Sequence, residues 1–224
     1  MPNFDIAASL NRFAIACLPA LLGIILHEVA HGWTAKRCGD PTAYSLGRLT
    51  MNPLPHIDPM GLLIFALTSI SSPFVFGWAK PVPINVRYLR NPKRDMMLIA
   101  LAGPLANMLL ALVFAVVLRI TLHIFPPAVW LEVGGYQFVL RMLKTGVIIN
   151  FSLAWLNLLP IPPLDGSRIL AWLLPGDLGW RFQGFERYGF IVLIVLLATG
   201  ALGSMLGPLV LGSAECALSL VGLR

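Results

Sequence analysis

Residues 13–26 carry no charge, and they run directly into His27-Glu28-Val29-Ala30-His31. This juxtaposition constrains the chain more than any other feature. An uncharged run of this kind demands a helix whose backbone groups are satisfied internally. On a helix, residues four apart share one face, so His27 and His31 present two imidazoles to a common point. Glu28 stands beside them, where a carboxylate can take a proton from metal-activated water. Ionisable groups at membrane depth are costly and belong to functional sites. The pattern therefore implies metal-assisted hydrolysis within a membrane.

Composition supports that class. The chain has 224 residues, 58% hydrophobic and 12% charged, with mean hydropathy +0.81. Soluble domains carry about 25% charged residues. The net charge of +6 does not point to nucleic acid, because the basic residues are scattered around apolar spans and no dense basic tract exists. They read instead as topology determinants. Cys17, Cys38 and Cys216 are far apart and form no C-x-x-C pair, which argues against a disulfide framework or a cysteine metal site. Residues 1–5 lack the basic start of a cleavable signal peptide, so the first apolar segment is expected to be retained.

A span needs roughly 20 mostly apolar residues. The hydropathy pattern predicts a first segment over 10–35, with Pro19 and Gly23 as places to bend. Lys36-Arg37 then hold its end at the cytoplasm. Residues 40–59 are rich in Gly, Pro and Asn, and short strands or turns are expected there. Asp58-Pro59 reads as an N-cap and first-turn proline. The apolar stretch 60–78 is barely long enough to span. Five basic residues follow it within 80–94, and if both of its flanks face the cytoplasm a re-entrant loop is favoured over a short tilted crossing. Further segments are expected over 96–121, with Asp95 as its cap, over 138–159, and over 188–211. A short helix from 167 to 174 lies between the last two, and 212–224 is too short to span. The expected fold is mainly α: a polytopic membrane protein with about four to six segments, one re-entrant, and short strands near the cytoplasmic side. One domain is expected over 1–224, with a catalytic core at about 10–175.

Catalytic zinc has three protein ligands and an open position, so one ligand is still to be found. Of the ten acidic residues, most suit surfaces, turns or helix caps. Asp165 differs. It follows a span whose end lies on the side of His31, after Pro160, Pro162 and Pro163, which favour extended backbone. Gly166 permits a sharp turn that aims the carboxylate inward. An N-cap role for Asp165 on the following helix is the competing reading, and the two are compatible.

These residues resemble the site-2 protease family of intramembrane zinc metalloproteases. The resemblance rests on His27-Glu28-Val29-Ala30-His31, on Ala102-Gly103-Pro104-Leu105-Ala106-Asn107, and on Asn157-Leu-Leu-Pro160-Ile-Pro162-Pro-Leu-Asp165-Gly166. Arg48-Leu-Thr-Met-Asn-Pro53 and Phe76-Gly-Trp-Ala-Lys-Pro-Val-Pro-Ile-Asn85 further resemble its compact bacterial and archaeal branch. The resemblance implies one catalytic zinc held by His27, His31 and Asp165, with Glu28 as acid-base residue. It implies transmembrane proteins as substrates, the lipid bilayer as surroundings, and a prokaryotic cell membrane with the active site toward the cytoplasm. Self-association is left open. Asn107 can orient substrate or satisfy a carbonyl freed by Pro104, and the sequence does not choose. Asn157 is expected to support the site, and Asn150 is a similar intramembrane amide. His56 reads as a loop histidine near a helix cap, not a ligand.

Three other readings compete. A membrane scaffold would keep the metal fold without turnover, but the acid-base glutamate is present. A prenyl-protein processing enzyme would use a glutamate as third ligand, and neither Glu132 nor Glu186 is well placed. A transporter would need polar residues along several spans, which these lack.

Overall fold

The computed structural model describes residues 6–71, 79–125 and 134–223. Helix α1 (Ile6–Cys38) runs unbroken through Pro19, and α2 (Thr42–Ser45) is a single turn. A 3₁₀ turn at Leu54–His56 leads to α3 (Pro59–Ser71). Then come α4 (Pro92–Ile124), α5 (Gly134–Asn157), α6 (Asp165–Leu173), α7 (Leu178–Gln183), α8 (Glu186–Ala198) and α9 (Ala201–Leu220). Four of these are long and apolar enough to cross a membrane: α1 over Leu10–Cys38, α4 throughout, α5 over Gly135–Asn157, and α9.

Small residues let these helices approach closely, the usual route to packing where no hydrophobic drive separates protein from lipid. Ala111 and Ala115 of α4, with Phe114 and Leu118, meet Leu140, Leu143, Val147 and Phe151 of α5 and Val210, Ala214 and Ala217 of α9. The outer face of α4 (Leu109, Val113, Val116, Ile120) is exposed, as a lipid-facing surface should be. Helix α1 packs on α4 and α5 from the other side.

The strands expected between α1 and α4 do not form. Among the described residues there is one isolated antiparallel bridge, Ile57 with Ala79, and no sheet. Pro53, Pro55, Pro81 and Pro83 lack the N–H a ladder needs, and side chains take over the pairing. Asp40 accepts from the Thr42 and Asn85 amides at 2.9 and 2.6 Å, and Arg48 Nη2 donates to the Lys80 carbonyl at 2.7 Å. Asp58 caps α3 as expected, accepting from the Gly61 amide.

Helix α3 has 13 residues, about 20 Å at 1.5 Å per residue, short of the roughly 30 Å hydrocarbon core. Residues 72–78 lie outside the described residues. The chain on either side of this stretch is tied together, by the Ile57–Ala79 bridge and by the Lys80 amide on the His56 carbonyl at 2.9 Å. A stretch that starts and finishes at one place fits the re-entrant expectation.

Helix α4 starts a turn earlier than expected. Asn91 is its cap, and Asp95 reaches back to the Asn91 amide at 2.8 Å. The span expected over 188–211 is instead two helices. Gly200, with φ +74°, breaks the run after Thr199, and the crossing helix is α9, which takes in most of the supposed tail. Apolar residues continue through the break, so hydropathy alone cannot register it.

Candidate metal centre

His27 and His31 lie on the face of α1 turned toward α4, and both are buried. Gly103 of α4 makes room for them. A Cβ at that position would lie 2.6 Å from His27 Cε1 and from Cε1 and Nε2 of His31. Asp165, the first residue of α6, reaches the same point. Its carboxylate does not cap that helix, whose N-cap, Leu164, makes no side-chain bond. The segment before it runs through turns, with the Leu164 amide on the Ile161 carbonyl, and not through the extended backbone expected.

Three atoms converge. The two Nε2 atoms are 2.9 Å apart, and Asp165 Oδ2 lies 3.1 Å from that of His27 and 3.2 Å from that of His31. The protons on the far sides of the rings decide what this means. His31 Nδ1 is 2.6 Å from the Ile99 carbonyl, which can only accept, so this nitrogen carries the hydrogen. His27 Nδ1 is 2.7 Å from Asn107 Oδ1. Asn107 is oriented by its other end, where Nδ2 donates to the Gly23 carbonyl at 3.0 Å and to Asn150 Oδ1 at 3.1 Å. Its oxygen therefore faces His27, whose Nδ1 also donates. In the neutral rings both Nε2 atoms are then bare lone pairs, directed at a buried carboxylate oxygen that has no hydrogen-bond partner.

Lone pairs at 3 Å repel one another unless a cation, a proton or a metal ion, sits between them. Tetrahedral zinc at about 2.0–2.1 Å from its ligands separates them by about 3.3–3.4 Å. The observed triangle is close to one face of that tetrahedron. Among the described residues, His27, His31 and Asp165 are the one group of this kind. The Nδ1 bonds to Asn107 and Ile99 are the outer contacts that metal-ligating histidines need to fix tautomer and ring angle.

Glu28 lies on α1 beside the ring and is half-buried. Its Oε2 accepts the Val82 amide at 2.7 Å. The loop carrying Val82 is clamped by Arg48, whose Nη2 binds the Lys80 carbonyl and, at 3.3 Å, that of Pro81. Arg168 approaches Asp165 Oδ1 at 3.8 Å from a more exposed position.

Asn107 contacts a histidine of the ring. Asn157 ends α5 and donates to Leu153 of its own helix at 2.9 Å, with no hydrogen bond to the ring. His56 is buried away from the ring, 3.0 Å from the Thr50 carbonyl. Sequence reasoning missed the Ile99 carbonyl, the Val82 amide and Arg48. The first two are backbone groups with no signature in residue type, while an arginine in a proline-rich loop resembles any topology residue.

The Bacillus subtilis protein named "Putative zinc metalloprotease YwhC" is 34% identical over 89% of this chain and 87% of its own. The chain belongs to peptidase family M50, the site-2 proteases. The family model, described as Peptidase family M50, matches residues 134–197 of this M50 peptidase, including Asp165. A Methanocaldococcus jannaschii protein named "Putative zinc metalloprotease MJ0611" is 30% identical over 85% of the chain and 83% of its own. A Mycolicibacterium smegmatis protein named "Putative zinc metalloprotease Rip2" is 35% identical over 81% of the chain and 66% of its own. No solved structure matches. This M50 peptidase is thus a metalloprotease and an integral membrane protein.

Proposed function

We infer that the enzyme is an endopeptidase that cuts other membrane proteins in or near their transmembrane segments. The observation that carries this reading is the place of the donor ring. It is buried where α1 and α4, two helices of spanning length, pack together, beside a glutamate on the same helix. His27 and His31 would hold zinc through Nε2 and Asp165 through Oδ2. The ion, when bound, would act as a Lewis acid, lowering the pKa of water toward about 7 and polarising the scissile carbonyl.

The chain's own residues do the rest. Glu28 takes the proton of the attacking water on its carboxylate and delivers it to the departing amine nitrogen. The Val82 amide holds Oε2, so the carboxylate is oriented before substrate arrives. A substrate helix hides its carbonyls in its own hydrogen bonds and must unwind locally, so helix-breaking residues in the substrate favour cleavage. Lys36, Arg37 and the basic residues of 80–94 favour an orientation with the site toward the cytoplasm, in a prokaryotic cell membrane.

The test is comparative proteomics of membranes holding the parent or Glu28→Gln protein. Transmembrane fragments present with the parent should disappear with the variant. An identical fragment set in both would overturn the reading.

A further inference from the structure

The orientation of one amide, Asn107, decides whether His27 can bind a metal. With Asn107 Oδ1 toward the ring, His27 Nδ1 donates and Nε2 is left bare. Were the amide turned over, Nδ2 would face the ring, Nδ1 would have to accept, and the proton would move to Nε2, where it blocks a cation. Two acceptors prevent the turn, the Gly23 carbonyl at 3.0 Å and Asn150 Oδ1 at 3.1 Å. In the turned-over state each would face the Asn107 oxygen, acceptor against acceptor. Asn150 is itself oriented from behind, since its Nδ2 donates to the Gly146 carbonyl at 2.9 Å within α5. Both asparagines are completely buried.

We propose that Asn150 is a positioning residue that, through Asn107, locks His27 in its metal-binding tautomer. It does so from a third helix that supplies no ligand, in a chain running from Gly146 through Asn150 and Asn107 to His27. Gly23 of α1 belongs to the same joint. A Cβ there would lie 2.5 Å from Asn150 Oδ1 and 3.3 Å from Asn107 Nδ2, so the amide pair occupies the space a larger residue would fill. The inference rests on the metal reading above.

The experiment measures zinc affinity by chelator competition on the full chain in detergent micelles, for the parent, Asn150→Leu, Asn150→Asp, Gly23→Ala and Asp165→Ala. The tautomer of His27 is read in the zinc-free proteins by nitrogen NMR on labelled histidine. Asn150→Leu keeps the branched outline, though bulkier, and removes the acceptor, and it should weaken zinc binding about tenfold or more while raising the Nε2–H fraction of His27. Asn150→Asp in its neutral form keeps an acceptor for Asn107 and a hydroxyl for Gly146, and should stay within about threefold of the parent, well inside the loss typical of such outer contacts. A residue that merely packs would change the melting temperature and leave tautomer and affinity alone.

Parent-like zinc affinity and tautomer in a folded Asn150→Leu protein overturn the proposal, while loss of zinc in Asp165→Ala would show the metal reading intact. A parent protein that takes up no zinc overturns both. If Asn150→Leu does not fold, Gly23→Ala strikes the same joint from α1, and unchanged zinc affinity there overturns the proposal equally.

Discussion

His27 and Glu28 are neighbours in sequence, yet two different kinds of structure hold them. His27 is fixed by helices: α4 supplies the Asn107 amide and the space at Gly103, and α5 supplies Asn150. Glu28 is fixed by a loop, through the amide of Val82 in a proline-rich segment clamped by Arg48. The two imidazoles of the metal-holding half are therefore fixed by packed spans, with Asp165 joining them from the short helix α6, whereas the proton-handling carboxylate, itself on α1, is held by connecting chain.

The two halves should fail differently. Asp165→Ala removes a donor from the metal-holding half and should abolish stoichiometric zinc, measured by metal analysis of the purified protein. Full zinc content in that variant would break the comparison at its base. Glu28→Gln touches the other half alone, so zinc should remain while cleavage of a transmembrane substrate falls by about 10²–10⁴-fold. Gly103→Ala drives a methyl group into both imidazoles, and zinc affinity should drop by about 10–100-fold with α-helical content preserved by circular dichroism. Arg48→Gln frees the Val82 loop. Its effect should be roughly a tenfold loss of turnover at unchanged zinc content, since displaced catalytic groups cost up to about 10²-fold. If Arg48→Gln lost zinc instead, the two halves would not be separable. At the small end, Leu209→Ala on the exposed face of α9 should change stability by less than about 0.5 kcal/mol in a thermal melt.

Much of this architecture is legible in the chain because a bilayer leaves few choices. Segments 10–35, 96–121 and 138–159 all appear as helices, displaced by a few residues at their ends. His27, His31 and Asp165 come to one point, as the motif spacing and the short roster of acids suggest. Other features depend on what hydropathy does not encode. Thr199-Gly200 splits an apolar run that reads as continuous. Proline spacing in 53–59 and 81–83 replaces a sheet by side-chain bonds. Asn107 can be recognised as a costly intramembrane amide, but its partners on α1 and α5 belong to tertiary packing. Glu28 announces its chemistry by its place in the motif, and the backbone amide that restrains it has no residue type to announce it.

The Ile57–Ala79 clasp has a consequence for counting. Chain that returns to its point of departure adds an even number of crossings, so the segment it closes contributes nothing to which side later residues occupy. The C-terminal end of α1 and the start of α4 then share one side. The end of α5 returns to that side after α4 has left it. The end of α1 that follows His31 and the loop that carries Asp165 thus lie on one side, and a second copy of the clasped segment, inserted in tandem, should leave the sidedness of Asp165 as it was.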